Sequence, residues 1–117
     1  MSQVLLTGNG AAAWAARLAD VDYIPAFPIT PQTEIIEKLA NWIDSDEMEA
    51  KLVTLESEHS MLTAAGAAAA TGVRVFSATS SQGLLYGMEM LYTVAGWRAP
   101  FVLLNVSRGL SAPITLE

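Results

Sequence analysis

The chain has 117 residues, of which 52% are hydrophobic, and it carries a formal net charge of −6. This length and hydrophobic fraction predict one well-buried globular domain over residues 1–117 and exclude an intrinsically disordered chain. The basic residues are scattered, no apolar run approaches the roughly 20 residues of a membrane helix, and no basic flank marks a secretory signal. We therefore expect a cytoplasmic protein without nucleic-acid or membrane partners.

The first predicted element is the apolar run Val4-Leu5-Leu6, which precedes Gly8-Asn9-Gly10 and an alanine-rich helical segment. This order fits the G-x-G-x-x-A dinucleotide fingerprint. A dinucleotide site also needs an acidic residue at the end of the next strand, and here that strand ends in Phe27-Pro28-Ile29-Thr30. We therefore interpret the glycines as shaping a tight strand-to-helix turn, and a dinucleotide-binding domain that uses this turn stays an alternative.

The second apolar run, Tyr23 to Phe27, leads into Thr30-Pro31 and then into a segment of helical period over residues 35–43. Pro31 suits the first helical position, and Thr30 before it can cap the helix with its side-chain oxygen. The sequence thus predicts that Thr30 is displayed at a strand-to-helix turn. Pro25 lies inside this run, although proline belongs on an edge strand or at a bulge, and the sequence alone leaves that tension open.

Three further apolar runs alternate with helical segments along the rest of the chain. The runs cover residues 52–55, 73–76 and 101–106, and the helical periods cover residues 61–69 and 84–95. Such alternation predicts an α/β fold, a parallel sheet with helices on both faces. Burial on both faces would explain why Phe101 to Leu104 is apolar throughout.

A polar segment follows each of the four later runs. In a parallel sheet the carboxyl ends of the strands share one edge, and open α/β sheets bind ligands there. We therefore expect Thr30, Glu58, residues 80–82 and Arg108 to converge at that edge.

The high apolar fraction indicates that part of the surface faces another protein. The small residues from Thr63 to Ala70 allow a neighbouring backbone to approach closely, or they are simply a good helix former that Gly72 stops. Residues 109–117 leave no room for a helix over the last strand. This predicts a truncated domain or a fragment of a longer polypeptide.

Five motifs, in this order, resemble the N-terminal pyrimidine-binding domain of the alpha subunit of 2-oxoacid:ferredoxin oxidoreductases, the family of pyruvate and 2-oxoisovalerate synthases. They are Gly8-Asn9 with its alanine-rich helix, Phe27-Pro28-Ile29-Thr30-Pro31, Glu56-Ser57-Glu58-His59, Thr79-Ser80-Ser81-Gln82-Gly83-Leu84 and Ser107-Arg108-Gly109. The resemblance implies a thiamine-diphosphate-binding fold whose cofactor site is completed by a partner domain that holds the diphosphate.

The resemblance also implies a catalytic carboxylate. Thiamine catalysis requires a carboxyl group hydrogen-bonded to N1′ of the aminopyrimidine, because sharing a proton there favours the imino tautomer. By similarity that residue is Glu58, which the motif and its place in the first helical turn favour over Glu56.

Four more residues receive roles from the same resemblance. Arg108 is similar to the residue that pairs with the substrate carboxylate, a task suited to a planar guanidinium. Thr30 is similar to the hydroxyl residue that hydrogen-bonds the substrate or its cofactor adduct. Ser81 and Gln82 would line the cofactor, while helix capping by Ser80 or Ser81 stays an alternative for the serines.

The resemblance places the remaining chemistry on partners. The sequence has no Gly-Asp-Gly with a downstream Asn, so magnesium and the diphosphate are assigned to a beta subunit, and no metal is expected on this chain. It has no cysteine, so the iron–sulfur clusters are assigned to an iron–sulfur subunit. The implied complex, a dimer or hetero-oligomer, converts a 2-oxo acid, coenzyme A and oxidised ferredoxin into acyl-coenzyme A, carbon dioxide and reduced ferredoxin. A non-catalytic α/β assembly module is the other alternative.

Overall fold

The computed structural model describes residues 2–111, in which strands and helices alternate. In chain order the elements are α1 (Gly8–Leu18), β1 (Tyr23–Ala26), α2 (Thr33–Asp44), β2 (Lys51–Thr54), α3 (Glu58–Ala70), β3 (Phe76–Thr79), α4 (Ser81–Tyr86), α5 (Met88–Gly96) and β4 (Val102–Asn105). Residues 112–117, on which the expectation of a truncated domain partly rests, lie outside the described residues.

The four strands are arranged in the order β2-β1-β3-β4 and all run parallel. β1 pairs with β2, and β3 pairs with β4, each in a regular parallel ladder. A single parallel bridge between Tyr23 and Val75 joins the two ladders. The predicted parallel sheet is thus confirmed, and all four strands end at the same edge.

Pro25 lies at the seam between the two ladders. The Tyr23 N–H donates to the Arg74 carbonyl at 3.2 Å, so the backbone groups of Tyr23 and, two residues on, of Pro25 face β3. Because Pro25 has no N–H, a regular ladder cannot continue there. The Ser77 hydroxyl instead donates to the Pro25 carbonyl at 2.7 Å, which satisfies that buried acceptor. The seam resolves the tension that the sequence left open.

Helices cover both faces of the sheet, as predicted. On one face α1 and α2 pack over β1 and β3, and on the other face α3 and α5 form the main contacts. The first core contains Ala13, Ala16, Ile24, Ile35, Leu39, Trp42, Phe76 and Ala78, and the second contains Met61, Leu62, Ala65, Ala69, Met90 and Val94. Neighbouring residues of one strand therefore pack into different cores, which is why the strands are apolar on both sides.

Two strand predictions were wrong in detail. The run from Val73 to Phe76 is mostly outside β3, which starts at Phe76 and includes Ser77 and Thr79, two polar residues that are fully buried. The expectation that Phe101 to Leu104 is buried throughout also fails, because β4 is the outer strand of the described sheet and Val102 is 62% exposed.

The N-terminal prediction was also wrong. Residues 4–6 form no strand and are exposed, and α1 already begins at Gly8. The Thr7 side chain caps this helix by accepting a hydrogen bond from the Gly10 N–H at 3.0 Å. Gly8 and Gly10 therefore lie in the first helical turn rather than in a strand-to-helix turn, so the dinucleotide fingerprint lacks the strand that it requires.

The predicted helix over residues 84–95 is divided in two at Gly87, between α4 and α5. A Cβ atom on Gly87 would lie 2.5 Å from Leu62 Cδ1 and 3.2 Å from the Glu58 carbonyl oxygen. A side chain at this position would have to displace Leu62, and the weak helix propensity of glycine favours the break.

The small residues of α3 serve its close packing on α5. A Cβ atom on Gly66 would overlap Val94 and would lie 3.1 Å from Trp97 Cζ3. Of the two interpretations of this segment, close approach of a neighbouring element is confirmed, and that neighbour belongs to the same chain. The helix ends as predicted before Gly72, whose φ of 95° suits glycine.

Candidate functional site

The first turn of α4 lies where the segments that follow three strands meet. The Ser80 hydroxyl donates to the Thr30 carbonyl at 3.1 Å, which joins the loop after β1 to the end of β3. The Ser81 N–H donates to Ser107 Oγ at 2.8 Å, and Ser107 Oγ donates to Asn105 Oδ1 at 2.7 Å. The loops after β1, β3 and β4 are therefore held together by direct hydrogen bonds.

Glu58 brings the segment after β2 to the same turn. It is the first residue of α3, where the Ser57 hydroxyl caps the helix by accepting from the Ser60 N–H at 3.1 Å. A Cβ atom on Gly83 would lie 2.8 Å from Glu58 Oε1, so the carboxylate packs directly on the α4 backbone. The structure thus groups Glu58 with the serines of the α4 turn.

The Glu58 side chain is mostly buried and has no partner in the described part of the chain. The residue is only 7% exposed, and no hydrogen bond or ion pair among residues 2–111 involves its side chain. A carboxylate in such a place can accept a hydrogen bond from any donor that reaches it. Glu56, two residues earlier, is exposed and lies outside the helix. A ligand that offers a hydrogen-bond donor would satisfy Glu58, whereas water already solvates Glu56.

A hydroxyl group lies beside the same glycine. The Thr79 side chain is fully buried, its Oγ1 has no hydrogen-bond partner in the described part of the chain, and a Cβ atom on Gly83 would overlap it. Thr79 Oγ1 and Glu58 Oε1 therefore both pack directly against Gly83, at a distance that leaves no room for a Cβ atom.

Thr30 lies at this edge but does not cap a helix, which corrects the sequence prediction. A turn closed by the hydrogen bond from the Gln32 N–H to the Ile29 carbonyl, at 2.9 Å, precedes α2, and the helix begins only at Thr33. The peptide bond between Thr30 and Pro31 is cis. Thr30 is exposed, so its hydroxyl is accessible to a ligand.

Arg108 and Ser81 carry features that a purely structural role leaves unexplained. Arg108 is half-buried, and its Nε atom is buried without a hydrogen-bond partner among the described residues. Ser81 is buried and has a φ of 41°, a left-handed conformation that is costly for a residue with a side chain and that clusters at functional sites. Gln82 is exposed at the start of α4.

The capping alternative for the serines is wrong. Ser80 precedes α4, but its hydroxyl makes no cap hydrogen bond and donates to Thr30 instead. Ser81 is already the first helical residue.

Sequence reasoning missed Gln32. This side chain is fully buried, and its amide donates to the carbonyls of Phe27 at 3.0 Å and of Ala78 at 2.8 Å. Its Oε1 has no partner within residues 2–111. A signal was present, because Gln32 lies three residues before Ile35 and so continues the line of the apolar stripe of α2 just before the helix begins, where a polar side chain is unexpected.

Two cavities lie away from this edge. One of about 760 Å³ lies at the amino ends of β1 and β2, where Asp22 and Lys51 line it. The other, of about 350 Å³, is an apolar groove between α1 and the strands β3 and β4, with Ala12 and Val102 in its walls. Ligands of open α/β sheets bind at the opposite ends of the strands, so the candidate site is the open edge around α4.

Within residues 2–111 no group of three or more histidine, aspartate or glutamate side chains could hold a metal ion. In the same part of the chain, none of the helices has the length and apolar character needed to cross a membrane.

Comparison with known families gives one match that covers most of the chain. Residues 14–116 match the family described as pyruvate flavodoxin/ferredoxin oxidoreductase, thiamine diphosphate-binding.

Curated relatives and a solved structure agree with this match. The chain is 52% identical over 112 residues to pyruvate synthase subunit PorA of Methanocaldococcus jannaschii. These aligned residues are 96% of this chain and 29% of that protein. It is 50% identical over 109 residues to ketoisovalerate oxidoreductase subunit VorA of Pyrococcus horikoshii, and these residues are 93% of this chain and 28% of that protein. The chain therefore spans less than a third of the length of these relatives.

A similar fold occurs in the 2-oxoglutarate:ferredoxin oxidoreductase of Magnetococcus marinus, which was solved with 2-oxoglutarate, coenzyme A and succinyl-CoA bound. The TM-score is 0.82 at 28% sequence identity, over 91% of this chain and 18% of that one.

Proposed function

The chain belongs to the thiamine-diphosphate-binding family of pyruvate flavodoxin/ferredoxin oxidoreductases, and we propose that it forms the pyrimidine-binding half of a thiamine-diphosphate site in a 2-oxoacid:ferredoxin oxidoreductase. The complete assembly would convert a 2-oxo acid, coenzyme A and oxidised ferredoxin into acyl-coenzyme A, carbon dioxide and reduced ferredoxin. The relatives are named for pyruvate and ketoisovalerate and the solved structure for 2-oxoglutarate, so the proposed substrate is a 2-oxo acid as a class.

The observation that carries the proposal is the unpartnered Glu58 carboxylate at the edge where the strand ends meet. A hydrogen bond to a ring nitrogen that carries or shares a proton would give this carboxylate the partner that the chain itself does not supply. Glu58 would hold that proton at N1′ of the aminopyrimidine. The close packing of Glu58 against Gly83 supports this role, because it holds the carboxylate at the first turn of α4, where the loops after the strands meet.

Thiamine diphosphate, when bound, supplies a nucleophilic carbon and an electron sink for decarboxylation. This chain would bind and orient the reactants. The Arg108 guanidinium would pair with the substrate carboxylate, and its unpartnered Nε supports that assignment. The Thr30 hydroxyl would hydrogen-bond the substrate, and Ser81 and Gln82 would line the cofactor.

Partner subunits would supply what this chain lacks. The curated relatives are named as subunits, which supports a heteromeric complex. A beta subunit would hold the diphosphate with magnesium. The 117 residues contain no cysteine, so an iron–sulfur subunit would carry the electrons to ferredoxin. The cytoplasmic location stays a prediction from the sequence.

Substitution of Glu58 by glutamine in the assembled enzyme tests the proposal. Glutamine keeps the shape of the side chain but cannot share a proton in the same way, so we expect at least a hundredfold loss of 2-oxo-acid-dependent ferredoxin reduction with assembly retained. The matched control is Glu56→Gln, which makes the same change two residues away at an exposed position and should leave turnover within about twofold.

Three results would contradict the proposal. Full turnover in Glu58→Gln would favour a non-catalytic assembly module, and nicotinamide binding by the chain would favour a dinucleotide-binding domain. If turnover is lost in Glu56→Gln and kept in Glu58→Gln, the catalytic carboxylate is Glu56 and not Glu58.

A further inference from the structure

We propose that Asn9 is a positioning residue for Thr30, and that the Gly8-Asn9-Gly10 motif serves to hold the loop over residues 27–32. This inference deepens the proposed function and rests on it, because Thr30 is the residue that would contact the substrate. It gives a role to the Gly8-Asn9-Gly10 motif, which lacks the preceding strand that a dinucleotide site requires.

The Asn9 side chain makes a direct contact with this loop. Its amide nitrogen donates to the Pro31 carbonyl at 2.8 Å, across 22 residues of sequence, and lies 3.4 Å from Glu34 Oε2. The accepting carbonyl belongs to the residue directly after Thr30. A shift of that carbonyl therefore moves the Thr30 backbone with it.

The start of α1 fixes where Asn9 lies. Thr7 caps the helix through the Gly10 N–H, so Asn9 sits in the first turn. A Cβ atom on Gly10 would lie 3.3 Å from Thr7 Oγ1, tighter than an ordinary contact, so glycine leaves room for this cap. The helix start and the loop are thereby locked in one arrangement.

Two other side chains hold the same loop from other sides. Gln32 donates to the carbonyls of Phe27 and Ala78, and Ser80 donates to the Thr30 carbonyl at 3.1 Å. The loop is thus attached to β3, to the start of α4 and, through Asn9, to α1. Of the three attachments, Asn9 supplies the one to α1, so Gln32 and Ser80 do not replace it.

The test is Asn9→Asp in the full-length subunit within its assembled complex. Aspartate has nearly the same shape, but it presents an acceptor to the Pro31 carbonyl and a negative charge to Glu34. We expect the KM for the 2-oxo acid to rise about tenfold, the size of one lost hydrogen bond, while the affinity for thiamine diphosphate stays unchanged. Hydrogen–deuterium exchange of peptides over residues 27–33 should also become faster.

Asn41→Asp is the matched control, since Asn41 is exposed on α2 and its side chain makes no hydrogen bond among the described residues. Ser80→Ala is a second variant that releases the same loop from another side and should also raise KM.

The outcomes separate this inference from the proposed function. If Asn9→Asp leaves either KM or the exchange of the loop at the level of Asn41→Asp, Asn9 does not position Thr30 and the inference fails while the proposed function stands. If the wild-type complex shows no thiamine-dependent turnover, the proposed function fails, and the inference fails with it because Thr30 then has no substrate to contact.

Discussion

Gly83 determines how much room the Glu58 carboxylate has. Because it has no side chain, Glu58 Oε1 and Thr79 Oγ1 can both pack directly against it. Thr79 is a β-branched residue with few rotamers and is packed in a strand, so it cannot move away easily. Any added methyl group must therefore displace Glu58 or strain the first turn of α4.

We accordingly predict that Gly83→Ala lowers 2-oxo-acid turnover at least tenfold and lowers the free energy of unfolding by about 1–3 kcal/mol, the usual range for an overpacked site. The control is Gly96→Ala in α5, where a Cβ atom would meet nothing within 4 Å. That change should be neutral or slightly stabilising, since alanine favours a helix. Turnover assays and thermal unfolding of both variants decide the matter, and equal behaviour of the two would contradict this account.

The residues of the site were predictable to different degrees. Glu58, Thr30 and Arg108 follow strands in the sequence, and the parallel arrangement alone brings such residues to one edge. Thr79 and Gln32 were missed because their burial depends on partners far along the chain, such as the Ala78 carbonyl for Gln32. The catalytic role of Glu58 and the substrate-binding roles of Thr30 and Arg108 stay predictions.

At the scale of the elements, α3 and α5 depend on each other through Gly66. We predict that Gly66→Ala lowers the free energy of unfolding by about 1–3 kcal/mol, because the new methyl group overlaps Val94, although alanine alone would favour the helix. Adding Val94→Ala should cost less in the Gly66→Ala background than in the wild type, since the cavity that it leaves accepts the methyl group.

Urea unfolding of the two single variants and the double variant completes this cycle. Strictly additive changes would show that the two helices do not meet at Gly66.

Element types followed from the sequence, whereas several boundaries did not. Alternating apolar runs and helical periods correctly indicated a parallel sheet with helices on both faces. β3 was misplaced because Ser77 and Thr79 are polar and therefore indicated a loop; Ser77 is buried because the Pro25 carbonyl, 52 residues away in the sequence, accepts its hydrogen bond. The start of α2 was misplaced because a turn over residues 29–32 uses the Thr-Pro pair that would otherwise begin a helix.

At the scale of the whole molecule, the candidate site is one open edge of a sheet. We predict that the isolated 117-residue chain binds thiamine diphosphate at least a hundredfold more weakly than the assembled complex does, because a partner would supply the contacts to the diphosphate. Isothermal titration calorimetry measures both affinities, and far-UV circular dichroism checks that the isolated chain is helical. Equal affinities would show that this chain holds the cofactor by itself.

The seam at Pro25 has a consequence for how the domain opens. Each side of it is a complete β-α-β unit with its own backbone ladder, β1 with β2 and β3 with β4. Between the two units, side chains such as Ser77 donate hydrogen bonds to backbone carbonyls in place of a regular backbone ladder. In partial unfolding we therefore expect the sheet to separate between β1 and β3, and each of the two β-α-β units to unfold cooperatively.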